Sequence, residues 1–429
     1  MRAIGRWSLT ALMINTIIGG GIFGLPSEVA GLVGKFSPLA VLIAGAGVGV
    51  IMACFAEVAS QFREAGGAYL YTQVAFGRLI ALQVAWLSWL VRIAAAAAVA
   101  NVFVNYLAEF WPSSREPLLR ALVLTLLVGF LAAVNYRGVS GGAQLSNFFT
   151  VAKLLPLLVF IATGLFHLVF RHGIPGTGSD SPAGFGKWFE AVLVLVFAYG
   201  GAEGALMATG EAKDPRRDVP FAVFVSLALV TLVYTLIQVV VIALLPNAAA
   251  SSRPLAAAAQ QFLGPAGANL MAAGALISTY GYLSAVILGA PRLTYALAER
   301  GDFPPLFAAV HRTFRTPYIS IVVFALLSWG LALAGTFRWN AVLSVVARMF
   351  TFGLVCAALP VLRRKQPQAP AFRLAAGRVF AWLGIAFSAV LLTRMGRSEA
   401  VIIAVTAGVA LLNWLWARRR ETPTALGAG

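Results

Sequence analysis

About twelve long apolar stretches joined by short connections fix what this chain can become. They run over residues 7–33, 37–62, 79–110, 118–136, 145–170, 188–211, 220–246, 267–296, 318–336, 341–362, 376–395 and 399–417. A helix needs roughly 20 apolar residues to cross the hydrocarbon core of a bilayer, and each stretch is about that long or longer. Charged residues make up only 11% of the chain, against about 25% in soluble domains. The class is therefore an all-α integral membrane protein of about twelve transmembrane helices. A net charge of +17 raises nucleic acid as a partner. The basic residues do not form one patch, however, and sit in short loops between apolar segments, so no nucleic-acid partner is expected. Placing both termini in the cytoplasm puts the loop Lys and Arg inside in an excess of roughly two to one, as membrane topology requires. The first stretch follows Arg2 and Arg6 directly and is too long for a cleaved signal peptide.

The first stretch carries Gly19-Gly20-Gly21 in its middle, with Gly24 and Pro26 beyond. Each glycine costs a helix roughly 1 kcal/mol relative to alanine, so three in a row break it. A break at membrane depth leaves backbone groups unpaired, which is tolerated only where they are buried in protein or line a polar cavity. Secondary transporters build substrate sites from such discontinuous helices; close helix packing through small residues is the alternative. The sixth stretch repeats the construction in Tyr199-Gly200-Gly201-Ala202-Glu203-Gly204. Breaks five helices apart fit two five-helix repeats of inverted topology, the odd count turning the second upside down. On this reading residues 1–170 form the first repeat and 171–365 the second. Helices eleven and twelve occupy 366–417, and 418–429 form a cytoplasmic tail.

Cys54 and Cys356 both lie inside apolar stretches, so a disulfide-linked partner subunit is not expected. His167, His172 and His311 are scattered, and neither a metal site nor a cofactor is expected. The chain has no GxxxxGK[ST] loop, which disfavours a primary pump. It also shows no paired carboxylates or nucleophile–base set, which disfavours an enzyme.

The ordered motifs resemble the amino acid–polyamine–organocation transporters, which share the inverted-repeat fold of the bacterial leucine transporter. Ile18-Gly19-Gly20-Gly21-Ile22-Phe23 resembles the family's first-helix signature Ile-Gly-Ser-Gly-Ile-Phe, with Gly20 in place of the serine. Phe197-Ala198-Tyr199-Gly200-Gly201 is similar to the sixth-helix gate of the large neutral amino acid transporters. The segment 210–220, with Glu211, Pro215 and Pro220, resembles the cytoplasmic loop that follows it. Residues 291–304, from Pro291 and Arg292 to Gly301 and Pro304, resemble the eighth-helix exit, and Leu362-Arg363-Arg364-Lys365 the end of helix ten. The resemblance covers nearly the whole chain and implies a permease of the bacterial inner membrane.

The half-helix that starts after Gly20 presents free N–H groups and a positive dipole end, which suit a carboxylate. The half-helices ending near Ile18 and Phe197 present carbonyls that suit an ammonium. The resemblance carries these substrate-binding roles onto Ile18, Gly20, Gly21, Ile22, Phe197, Ala198 and Gly200. Phe197 is an aromatic gate or an ordinary packing residue. Lys153, about nine residues into the fifth stretch, is expensive at that depth and by default functional; snorkelling to an interface is the alternative. In proton-coupled relatives such a lysine resembles a replacement for sodium, bonded to a first-helix carbonyl and an eighth-helix hydroxyl. Ser278 is the candidate hydroxyl, with Ser284 as runner-up. Glu203 is either a titrating proton site or a buried hydrogen-bond anchor. Arg92 and Arg348 also lie deep, and ion pairing or carbonyl capping is the role expected of both.

The expected function is secondary active transport of amino acids, neutral ones first, by alternating access and with proton coupling. The partners are then an amino acid substrate, protons and lipid, for a monomer or homodimer. An amino acid or polyamine exchanger is the alternative, followed by a membrane sensor that does not transport.

Overall fold

The computed structural model describes residues 5–62, 66–138, 142–170, 183–205, 214–366 and 372–419, with the backbone alone at 142–151, 205, 215 and 419. The loop motif at 210–213, the connection 171–182, the tail 420–429, Arg63 and His172 lie outside the described residues. Every element among the described residues is helical. In chain order these are α1 (Arg6–Ile17), α2 (Gly21–Val33), α3 (Ser37–Ser60), α4 (Gly67–Phe76) and α5 (Arg78–Leu107). They continue as α6 (Pro117–Arg137), α7 (Gly142–Phe170), α8 (Phe185–Val196), α9 (Ala202–Ala205) and α10 (Pro215–Leu244). The last five are α11 (Pro254–Glu299), α12 (Tyr318–Ala334), α13 (Phe337–Lys365), α14 (Gly377–Leu392) and α15 (Arg397–Arg419).

Among the described residues, eight helical stretches are long and apolar enough to cross a membrane. Two more, Tyr318–Ala334 and Gly377–Leu392, are apolar but shorter. Large side chains such as Leu118, Leu126, Phe130, Trp382 and Leu412 stand exposed on their outer faces. At roughly 25 cal/mol per Å² of apolar surface, a belt like this in water would carry a large penalty; facing hydrocarbon it carries none.

The first and sixth apolar stretches are each two helices. The break between α1 and α2 falls at residues 18–20, and that between α8 and α9 at 197–201. At the second break Gly201 has φ +113, a left-handed conformation that favours glycine. Helix α11 is also two helices in effect. Gly264 (φ 66, ψ −161) kinks it just before Pro265, so the eighth apolar stretch begins beyond the kink. Helix α4 matches no apolar stretch, because its ten residues are too few to span. It is moored instead by the Tyr69 hydroxyl, which donates to the Asp302 carboxylate, and by Arg78, whose Nε lies 2.7 Å from the same residue. Burial and that carboxylate push the Tyr69 phenol up, so it remains a donor.

The helices pack in two groups. One brings α1 and α3 against α10, and α2 and α3 against α8; the other gathers α11 and α12 around α5. Helix α13 packs on both α5 and α3. The buried run Ala94 to Ala98 lets neighbours approach α5 closely, the usual role of small residues between membrane helices. At one end of the molecule Arg363 grips Glu57 bidentately, at 2.6 and 2.7 Å. Glu57 Oε2 also accepts from Leu374 N at 2.9 Å, tying α3 and α13 to the approach to α14.

Candidate functional site

A cavity of about 740 Å³ enters the helix packing between the two groups. Its inner wall includes Asn15 and Thr16 from α1, Arg92 from α5, Lys153 from α7, and Gly201 and Glu203 at the second break. Ser278, Tyr282 and Ser284 from α11, with Arg348 from α13, complete it. Gly66, Tyr69, Arg292 and Leu297 also line it, so it reaches the end of the molecule where α4 and the end of α11 meet.

Lys153 is buried at 7% exposure. Its ammonium donates to the Ile18 carbonyl at 2.6 Å and to the Asn15 carbonyl. Both acceptors belong to the last turn of α1 or the break after it, where the helix no longer supplies an N–H to its own carbonyls. The lysine thus substitutes for the missing turn. The Ser278 hydroxyl shares the cavity but has no hydrogen-bond partner among the described residues. The expected lysine–hydroxyl contact is therefore not made, and a second α1 carbonyl takes its place.

Glu203 Oε2 accepts from Gly201 N at 2.9 Å, closing the turn that starts α9. Its other oxygen lies 3.0 Å from Arg348 Nε. That N–H is not aimed at the oxygen and makes no hydrogen bond, so the contact is an ion pair by distance and charge. Arg92 stands within electrostatic reach of Glu203, Tyr282 and Arg348. In the sequence, Gly200, Gly201, Ala202 and Gly281 suggest a lining with little charge. The folded chain instead brings two deep arginines and a carboxylate into the same wall.

The seven residues expected to hold substrate lie beside the cavity but are not part of its wall. A Cβ on Gly21 would stand 3.1 Å from Ala198 Cα and 3.2 Å from Phe197 Cδ1, so the two breaks touch. Phe197 is buried and packs edge-on against Phe337, centroids 6.0 Å apart. The Phe197 carbonyl accepts from Gly200 N at 3.1 Å, and the Ile18 carbonyl already serves Lys153. Ile22 is buried. Gly20 has no room for the serine of the resembled signature, because its Cβ would meet Val99 Cγ1 at 2.8 Å and Thr279 Cγ2 at 3.3 Å. The layer formed by these residues is closed in this conformation. Beyond it, Arg338 contacts Glu190 on α8 and lies 3.6 Å from Glu28 on α2.

One bridging residue is absent from the sequence reading. Tyr234, buried on α10, points its hydroxyl at the Ile17 carbonyl (3.3 Å) and the Ala198 carbonyl (3.2 Å). It joins the two breaks. The available signal is a phenol in the middle of the seventh apolar stretch, where a buried hydroxyl needs a partner.

The family model for "Amino acid permease" matches residues 4–415. The chain belongs to the amino acid permease family. The permease is 31% identical over 389 residues to an uncharacterized transporter of Mycobacterium tuberculosis, covering 85% of this chain and 80% of the relative. It is 26% identical over 447 residues to a branched-chain amino acid permease of Bacillus subtilis, covering 98% and 94%. A methylthioribose transporter of the same organism is 27% identical over 383 residues, covering 86% and 82%. The permease is therefore an integral membrane transporter and not an enzyme. Among the described residues no cluster of His, Cys, Asp or Glu could hold a metal ion, and Cys54 and Cys356 are buried free thiols.

Proposed function

We propose that this permease is a secondary active transporter of amino acids, driven by protons and working by alternating access. The observation that carries the reading is the Lys153 ammonium, set at the α1 break on the Ile18 and Asn15 carbonyls. When protonated it holds a positive charge where a coupling cation would bind broken-helix carbonyls. Charge-assisted hydrogen bonds are about twice as strong as neutral ones. Loss of the lysine proton therefore loosens the grip on α1, and its return restores it. Glu203, committed to Gly201 N and Arg348, is the anchor of the second break in this scheme.

The amino acid's carboxylate is assigned to the N–H groups that open α2 at Gly20, Gly21 and Ile22. Its ammonium is assigned to carbonyls at Ile18, Phe197 and Ala198, beside Gly200. These groups must part by a few ångströms to admit it. The 1–170 and 171–365 halves act as inverted repeats in this reading. Helices in 366–417 complete about twelve spans, with the 418–429 tail and both termini in the cytoplasm. The cavity then opens to the cytoplasm, on the more basic face. Arg92, Lys153, Arg292 and Arg348 outnumber Glu203 in its wall, which disfavours arginine, lysine and polyamines and leaves amino acids without a cationic side chain.

The test is uptake of a radiolabelled amino acid panel by proteoliposomes, with and without an inward proton gradient. Accumulation is expected to follow the gradient and to ignore replacement of sodium by choline. Lys153→Ala is expected to lose gradient-driven accumulation while keeping exchange of internal for external substrate. Sodium-stimulated uptake, or gradient-driven accumulation that survives Lys153→Ala, overturns the coupling assignment.

A further inference from the structure

Two guanidiniums, one buried and one half-buried, share one carboxylate in the cavity wall. Arg348 is 5% exposed. Its Nε lies 3.0 Å from Glu203 Oε1, and its Nη1 has no hydrogen-bond partner among the described residues. Arg92 looks onto the same carboxylate, with Arg348 and the Tyr282 phenol as its other electrostatic neighbours. The local sum is one positive charge in excess. The other cations of the wall, Lys153 and Arg292, add to it.

An unpaired buried charge is costly, and so is a guanidinium with unused donors. Here the unused edge is also placed. A Cβ on Gly200 would lie 1.7 Å from Arg348 Nη1, so the glycine leaves that space to the guanidinium. Nη1 therefore stands at the second helix break, against the layer assigned to the amino acid backbone, while its side chain lines the open cavity. A ligand reaching from the break into the cavity meets this edge first.

We propose that Arg348, backed by Arg92 and oriented by Glu203, is a carboxylate subsite, and that the permease takes amino acids with an acidic side chain in preference to their amides. The proposal rests on the amino acid transport reading above. The side-chain carboxylate accepts from Nη1 and supplies the missing negative charge. The isosteric amide keeps the shape but not the charge, and its NH2 group presents donors to donors. A cationic side chain is repelled. An inorganic anion such as chloride offers the same charge, so the test separates the two.

Proteoliposomes holding the wild-type protein take up radiolabelled L-glutamate or L-leucine, challenged by unlabelled glutamate, aspartate, glutamine and asparagine. Each acid is expected to compete at least about tenfold better than its amide, a difference of about 1.4 kcal/mol. Replacing chloride by gluconate is expected to leave that ratio unchanged. Arg348→Gln is expected to bring that ratio close to one, whatever the variant's overall rate of uptake, and Arg348→Lys, which keeps the charge but not the fork, to keep part of it. Equal competition by acid and amide in the wild type overturns the proposal without any variant, as does a preference that persists in Arg348→Gln. A chloride-dependent thermal shift with no acid–amide difference assigns the site to an inorganic anion and also overturns it. If labelled glutamate and leucine both fail to enter, and an amino acid panel produces no thermal shift, the transport reading itself has failed. That result is distinct from a failure of the subsite.

Discussion

At the scale of single residues, this permease is shaped by side chains that are not there. Gly201 combines φ +113 with a close approach, since an added Cβ would sit 2.3 Å from the Thr16 carbonyl oxygen. Both features count against any other residue, the first costing on the order of 1–3 kcal/mol. Gly201→Ala is therefore expected to lower thermal stability in detergent and to weaken transport, because α1 and α9 can no longer meet at this distance. An unchanged melting temperature would show that the break relaxes freely. The glycine clusters were legible in the sequence as places where a helix must stop. What each glycine touches was not. The serine missing at residue 20 reads in the sequence as a lost hydrogen bond, whereas Val99 and Thr279 leave no room for its Cβ. That fact depends on α5 and α11, some eighty and 260 residues further along the chain.

At the scale of elements, the two broken helices are held by groups from three others. Lys153 on α7 caps the end of α1, Arg348 on α13 pairs with α9, and Tyr234 on α10 reaches both breaks. The phenol has one proton and two acceptors, at 3.3 and 3.2 Å, so it shares a single donor between α1 and the end of α8. Removing the hydroxyl leaves buried carbonyls short of a donor, a cost of about 1–3 kcal/mol. Tyr234→Phe is expected to lower the unfolding midpoint in detergent, with a larger loss of substrate-induced stabilisation than a remote Tyr→Phe control. Equal losses would reduce Tyr234 to ordinary packing. Glycine clusters inside apolar stretches located both breaks, because a membrane helix must otherwise satisfy its own backbone. They could not locate the caps, since a lysine or tyrosine within an apolar stretch gives no sign of which carbonyl it will face. Lys153 shows the difference. Its depth marked it as functional, but only the fold selects Asn15 over a hydroxyl on α11 as its second acceptor.

At the scale of the whole molecule, the permease is open toward one face and shut toward the other. The cavity ends at the layer where Gly21 meets Ala198. In that layer Phe197 packs on Phe337, and past it Arg338 draws α2 and α8 to the start of α13 through Glu28 and Glu190. These ion pairs are partly exposed, so each contributes about 0–1 kcal/mol. Their weight comes from position, because one guanidinium spans three helices and separates two carboxylates that would otherwise repel. If the proposed alternating-access states differ by a few kcal/mol, such a contact is enough to shift their populations. Arg338→Gln is therefore expected to favour a conformation open on the Arg338 side. The measurement is the labelling rate of Ile22→Cys by a membrane-impermeant thiol reagent, in a background with Cys54 and Cys356 replaced. Ile22 is buried just inside the closed layer, so its exposure reports the opening directly. Labelling from the Arg338 side should rise several-fold in Arg338→Gln, and added substrate should change the rate. If labelling is unchanged, the aromatic and glycine contacts hold this face shut without the ion pairs.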